Sequence, residues 1–202
     1  MTNRRVERPR PINERILILC EGRKTEPNYF KGIRQDKMHS RKLAALQIVV
    51  QDTMKNTAKE LVAEAIALIK EAKQERNPYD SVWIIVDKDG YTKHPESFDR
   101  AKAYGIHICF SSPCFEYWIL LHFEYTTAPF RNCEEVIDRL RLYIQGYEKA
   151  GHHYELLRNF MKIAADRGSK VIAHQKEVGI GQIWTHNPYT DVGILVGKLL
   201  TL

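Results

Sequence analysis

Several features are missing from the 202-residue sequence. No stretch approaches the ~20 consecutive apolar residues of a membrane-spanning helix, and the Arg-rich N-terminus is not followed by an apolar signal segment. The phosphate-binding pattern GxxxxGKS/T is also absent, which excludes a Walker-type ATP site. We therefore expect a cytoplasmic protein with no membrane partner, and any coupled ATP hydrolysis has to come from another protein.

Cysteine is scarce. The four cysteines are Cys20, Cys109, Cys114 and Cys133. They form no CxxC pair, and three lie within or beside apolar runs, as reduced thiols of a packed interior do, so a disulfide framework is not expected. The His and Cys residues from His107 to His122 come closest to the spacing of zinc ligands, but they include no second ligand pair at zinc-site spacing. A zinc site is therefore disfavoured.

The composition, 44% hydrophobic and 28% charged, suits one domain with a substantial core. The net charge of +6 favours polyanionic partners. We expect residues 1–14 to form a basic flexible arm, because Pro9 and Pro11 disfavour a helix among its arginines. That arm is either a solvated tail or a tether for nucleic acid. Residues 15–202 are expected to form the single domain.

Four short apolar runs without alternation predict strands covered on both faces. They span residues 16–20, 46–50, 81–86 and 106–110. Helix-length segments separate them, which predicts right-handed crossovers and an α/β fold with a mainly parallel four-stranded sheet flanked by helices. This α/β core covers residues 15–123, and residues 124–202 are expected to be a mostly helical extension.

Polar caps predict where the helices begin. Thr25 is expected to cap the first helix, and Thr57 with Glu60 forms a capping-box pattern. Asn132 is expected to open a helix that runs to about Tyr147. A further helix is predicted to end near Gly168, and a closing helix covers residues 192–200.

Acidic residues follow two of the predicted strands. Glu21 ends the first, Asp87 and Asp89 end the third, and Ser111 follows the fourth. Because the carboxyl ends of parallel strands share one rim of the sheet, these side chains are expected to gather there. Oxygen ligands favour Mg²⁺ or Mn²⁺, and such a cation would offset the repulsion between the carboxylates. Phosphodiester cleavage follows as a hypothesis, and a simple strand-ending turn is the alternative interpretation of Asp-x-Asp-Gly.

Four segments together resemble the RloB-like family. They are Cys20–Phe30 (CEGRKTEPNYF), Val86–Gly90 (VDKDG), Ser112–Trp118 (SPCFEYW) and Asn187–Val192 (NPYTDV). The resemblance implies a Toprim-like fold, shared in outline with topoisomerases, primases and overcoming-lysogenization-defect nucleases. It also implies a place in restriction-linked phage defence, often beside an ATPase partner.

The resemblance also implies roles for individual residues. The catalytic, metal-binding residues are Glu21, Asp87 and Asp89. Glu26 and Glu116 match further acidic positions that extend the metal site, although Glu116 has a basic side-chain partner as its alternative role. Apart from the resemblance, Arg23, Lys24 and Lys88 flank these acids in the sequence and are expected to bind phosphate, for which simple charge balance is the alternative.

We therefore expect a magnesium-dependent Toprim-type endonuclease, a hydrolase acting on DNA or RNA as the effector of an abortive-infection antiviral system with a partner ATPase. The alternative is a non-catalytic regulatory or nucleic-acid-binding subunit of such a complex. The sequence leaves open the choice between DNA and RNA, the activating trigger, the number of metal ions and the oligomeric state.

Overall fold

The computed structural model describes residues 14–36, 47–50, 57–88, 94–178 and 181–201. The strands are β1 (Ile16–Cys20), β2 (Gln47–Val50), β3 (Ser81–Asp87), β4 (Ile106–Ser112) and β5 (Tyr189–Thr190). The helices are α1 (Thr25–Gln35), α2 (Ala58–Gln74), α3 (His94–Ala103), α4 (Glu116–Leu120), α5 (Cys133–Arg141), α6 (Tyr154–Leu157), α7 (Met161–Val178) and α8 (Val192–Thr201). The predicted basic arm lies outside the described residues, except for Glu14.

The strands form one sheet in the order β2-β1-β3-β4-β5. The first four are parallel, which confirms the predicted four-stranded α/β core. The two-residue strand β5 pairs antiparallel with the end of β4, Ser112 with Tyr189 and Ser111 with Thr190. This strand was not expected, because the 187–191 segment reads in sequence only as a polar cap for the last helix.

The two faces of the sheet bury alternate residues of each strand. On one face Ile16 and Ile18 pack in the same cluster as side chains of α1, α4, α5 and the C-terminal helices. On the other, Leu17 and Leu19 pack with side chains of α2 and α3. Both faces are therefore covered, which explains why these strands are apolar without alternation. No helix of the described ranges is long and apolar enough to cross a membrane.

The helix caps follow the sequence only in part. The Thr57 capping box is confirmed, since Thr57 accepts the Glu60 N–H and Glu60 accepts the Thr57 N–H. The prediction that Thr25 caps α1 is wrong: Thr25 is the first helical residue, and its hydroxyl donates to the Lys149 carbonyl at 2.5 Å. Asn132 caps α5 as expected, but this helix ends at Arg141 rather than near Tyr147.

Helix α7 continues ten residues beyond Gly168, where the sequence predicted its end. Gly168 is buried inside the helix, and a Cβ added there would lie 3.5 Å from Trp118 Cζ3. Gly193 on α8 approaches the same atom, which would lie 3.2 Å from a Cβ added at that position. Gly193 thus makes room for the Trp118 ring, Gly168 lies at ordinary contact distance from it, and the ring packs α4 against α7 and α8.

Two glycines on α8 offer a matched test of this packing. Alanine at Gly197 adds a Cβ with no atom within 4 Å, so Gly197→Ala should stabilise the protein by roughly 0.5–1 kcal/mol through helix propensity. Gly193→Ala should gain less or lose stability, because its Cβ presses on Trp118 and on Ala165 Cα at 3.4 Å. Denaturant unfolding measures both; a Gly193→Ala variant as stable as Gly197→Ala would contradict the packing role.

Asp191 fastens β5 to β4. Its Oδ1 accepts the Phe110 N–H at 2.7 Å, while its own N–H donates to the Phe110 carbonyl at 3.3 Å. Burial raises the pKa of Asp191 to about 7, and the hydrogen bonds to the carboxylate offset only part of this effect. The folded chain therefore holds the proton of the Asp191 carboxyl group more tightly than the unfolded chain does.

This raised pKa predicts a pH-dependent loss of stability. The contribution of Asp191 to the free energy of unfolding is fully present below its ordinary pKa of about 4. It is lost as pH rises through about 7, because the Asp191 carboxyl group ionises at a lower pH in the unfolded chain than in the folded one. Relative to wild type, Asp191→Asn should therefore become more stable across that window. Thermal unfolding of both proteins at a series of pH values measures the difference, and parallel curves would contradict the prediction.

Candidate active site

The ends of β1 and β3 lie side by side, so the residues that follow them meet. Cys20 pairs with Ile85, and the Glu21 N–H continues the pairing by donating to the Ile85 carbonyl at 3.1 Å. The Glu21 carboxylate then reaches across, and its Oε2 accepts the Asp87 N–H at 2.9 Å. The parallel sheet thereby places Glu21 and Asp87 at the same rim, as the sequence predicts.

Glu26 enters this rim from the first turn of α1 and is only 5% exposed. Its carboxylate lies directly over Gly22, where an added Cβ would overlap both carboxylate oxygens. Any side chain at position 22 would therefore displace the carboxylate. Burial raises the pKa of Glu26, hydrogen bonds from its own N–H and that of Gly22 lower it, and the nearby Glu116 raises it.

Glu116 is the first residue of α4 and is 1% exposed. Its Oε1 lies 3.5 Å from both the Thr25 and Tyr147 hydroxyls. Its Oε2 lies 3.6 Å from Lys149 Nζ. The basic partner weighed for Glu116 in the sequence therefore exists, and the same carboxylate also faces the acidic rim.

Asp87 is the most strongly perturbed acid of the rim. Burial raises its pKa well above the ordinary value, Glu26, Glu116 and Glu21 raise it further, and the Phe115 N–H lowers it. Its Oδ1 is buried and has no hydrogen-bond partner among the described residues. A buried oxygen without a donor is costly, so this atom marks a place where a positively charged or proton-donating group fits.

These side chains line one cavity of about 400 Å³. Its lining residues are Glu21, Gly22, Arg23, Lys24, Thr25, Glu26, Asp87, Glu116, Lys149 and Ala150. Four of the five predicted acidic residues are therefore brought together, and Asp89 lies outside the described residues. Of the predicted phosphate-binding residues, Arg23 and Lys24 line the cavity, whereas Lys88 is exposed and does not.

Lys149 was missed in the sequence. It lies in the loop between α5 and α6, within the predicted helical extension and far from every motif. Nothing in its local sequence signals a site, because it reaches the rim only through the packing of that extension against α1.

The expectation that the cysteines form no disulfide is wrong for one pair. Cys114, just before α4, and Cys133, the first residue of α5, form a disulfide with a Cα–Cα distance of 5.6 Å. The fold brings them together across 19 residues, a proximity that spacing alone does not reveal. Cys20 and Cys109 are buried free thiols, as expected.

His122 is buried, and both of its ring nitrogens lie within hydrogen-bonding distance of neighbouring groups. Its Nδ1 lies 3.1 Å from the Trp118 carbonyl, so this nitrogen carries the proton, and its Nε2 accepts from the Tyr29 hydroxyl at 3.2 Å. Burial lowers the pKa of His122 to about 4, which keeps the ring neutral.

A comparison with protein families bears on the resemblance seen in the sequence. The model of the family described as RloB-like protein matches residues 16–199. The chain belongs to the RloB-like protein family. Glu21, Glu26, Asp87 and Glu116 of the cavity all lie within the part that matches this family. No curated protein and no solved structure matches the chain.

The crowding of buried carboxyl groups predicts a stability cost in the absence of divalent cations. With a chelator at pH 8, Asp87→Asn should raise the free energy of unfolding by about 1 kcal/mol, because the raised pKa of Asp87 disfavours the folded state above its ordinary pKa. Glu71→Gln, at an exposed position on α2, is the control and should stay within about 0.5 kcal/mol of wild type. A destabilised Asp87→Asn protein would contradict the prediction.

Proposed function

We propose that this RloB-like chain is a nuclease that depends on Mg²⁺ or Mn²⁺ and hydrolyses nucleic-acid phosphodiesters. The observation that carries the proposal is the buried Asp87 Oδ1, which has no hydrogen-bond partner in the described part of the chain and lies in a cavity lined by three further carboxyl groups. Perturbed acids gathered in one cleft are typical of functional sites.

The residues present fit a hard divalent cation. All the acidic ligands offer oxygen, which suits Mg²⁺ or Mn²⁺. Asp87 Oδ1 accepts no hydrogen bond from the described residues and could therefore coordinate the ion. Glu21 and Asp87 would hold the ion, with Glu26 and Glu116 as further ligands. Among the described residues, no three of these carboxyl groups place oxygens within 4.8 Å of one another, so the flexible glutamates have to turn toward the ion.

Each cavity residue then has a distinct task. When bound, the cation supplies Lewis acidity toward a phosphoryl oxygen and a lower pKa for a coordinated water molecule. Glu21 braces the Asp87 backbone through its Oε2, which fixes the carboxyl end of β3. Arg23 and Lys24, on the turn before α1, supply positive charge at the cavity wall for phosphate groups. Asp89 is proposed as a further ligand on the strength of the family resemblance.

The biological setting of the proposal rests on the family. RloB-like membership supports a role as the effector of an abortive-infection phage defence, working with a partner ATPase. This sequence carries no Walker pattern, so ATP hydrolysis in such a system would be carried out by the partner. A regulatory or nucleic-acid-binding subunit is the outcome to expect if the acidic cavity proves inactive.

Cleavage assays test the proposal directly. Purified protein, alone and together with any ATPase encoded by a neighbouring gene, is incubated with plasmid DNA and total RNA in Mg²⁺ or Mn²⁺. We expect one substrate class to be cut by wild type and not by the Asp87→Asn/Asp89→Asn double variant, because the variant loses the charge of two proposed metal ligands.

Two comparisons complete this assay. Glu71→Gln, remote from the cavity, should cleave like wild type, and a chelator should stop all cleavage. Cleavage that persists in the double variant would contradict the assignment of these carboxylates, and no cleavage by wild type under any condition would favour the role of a non-catalytic subunit.

A further inference from the structure

The loop between α5 and α6 contributes one wall of the acidic cavity. Two side chains of α1 hold its backbone: the Thr25 hydroxyl donates to the Lys149 carbonyl at 2.5 Å, and the Asn28 amide donates to the Ala150 carbonyl at 3.3 Å. The helix that carries Glu26 therefore also fixes the backbone of Lys149 beside the cavity.

The loop is also braced internally. The His153 ring stacks on Tyr147, with centroids 4.6 Å apart, and His153 Nε2 bonds to the Glu148 carbonyl at 2.9 Å. Gly151 allows this arrangement, since a Cβ added there would overlap His153 Nε2. The backbone on both sides of Lys149 is thus held in place.

The Lys149 side chain, by contrast, is weakly held. Its Nζ lies 3.6 Å from Glu116 Oε2, and the side chain is 53% exposed. The Glu116 side chain is only 2% exposed, so breaking the pair alone would leave a buried carboxylate without its counter-charge. A divalent cation bound at the carboxylates would supply that charge, and the half-exposed ammonium group could then bind another anion.

The charges that line the cavity indicate which kind of anion could bind there. Four carboxyl groups and three cationic groups face it, so a bound divalent cation leaves the lining with a net positive charge. A phosphodiester then suits the cavity electrostatically, and Lys149 is the cationic residue already in contact with one of the carboxyl groups.

We propose that Lys149 is a substrate-binding residue that exchanges its ion pair with Glu116 for a phosphate of the nucleic acid when a divalent cation occupies the carboxylates. This inference rests on the proposed nuclease function. It assigns a role to the helical extension: the extension adds a cationic side chain to those that the α/β core itself places at the cavity.

The test compares three variants in the full chain. Lys149→Met removes the charge and keeps the length, Lys149→Arg keeps the charge, and Lys70→Met on the exposed side of α2 is the control. Lys149→Met should raise KM, or the Kd for a fluorescently labelled single-stranded DNA or RNA oligonucleotide, by roughly tenfold. It should also lower the salt dependence of binding by about one released ion. Lys149→Arg should restore most of both, and Lys70→Met should match wild type.

The rise in melting temperature on adding Mn²⁺ without nucleic acid is a second measurement, and here Lys149→Met should not reduce the effect. Because Lys149 competes with the cation for Glu116, Lys149→Met should show a Mn²⁺-induced rise in melting temperature at least as large as that of wild type. Weaker substrate binding with undiminished Mn²⁺ stabilisation supports the proposal, since a merely structural role would weaken both.

The possible failures are distinguishable. If wild type binds or cleaves nucleic acid and Lys149→Met does so equally well with an unchanged salt dependence, the Lys149 assignment fails and the proposed function stands. If Lys149→Met also loses the Mn²⁺ effect, the residue is structural and the assignment is overturned. If wild type neither binds nor cleaves the oligonucleotides, both proposals fall together.

Discussion

The burial of several carboxyl groups at one end of the sheet is the constraint on which the rest of the site depends. Glu26 and Glu116 raise the pKa of Asp87, Glu116 also raises that of Glu26, and backbone donors offset part of this cost. Phe115 donates to Asp87, Asp87 in turn donates to Glu21, and Gly22 donates to Glu26. The turn after β1, the start of α1 and the start of α4 are therefore arranged around carboxylates, and Lys149 supplies the nearest opposite charge to Glu116.

Much of the α/β core could be predicted because its signals are local. Unbroken apolar runs such as Ile16–Cys20 reveal strands covered on both faces, and parallel strands then require Glu21 and Asp87 to meet at one rim. The capping box at Thr57 is equally local, since both partners lie within one helical turn. The family motifs added Glu26 and Glu116, which composition and periodicity alone did not single out as site residues.

The features that escaped prediction depend on contacts between distant segments. Gly168 resembles a helix end in sequence, yet it lies inside α7, where it is buried beside the Trp118 ring. The Cys114–Cys133 disulfide requires α4 and α5 to begin side by side, and β5 requires the chain to return to the edge of β4. Lys149 reaches the cavity only because Thr25 and Asn28 bind its loop. None of these pairings leaves a periodic or spacing signal in the sequence.

Calorimetric titration of Mn²⁺ into the metal-stripped chain tests the central claim most directly, namely that the buried carboxylates form a cation site. The account predicts saturable binding by wild type, loss of that binding in Asp87→Asn, and unchanged binding in the exposed-site control Glu71→Gln. Absence of saturable binding in wild type, or equal binding by Asp87→Asn, would contradict it.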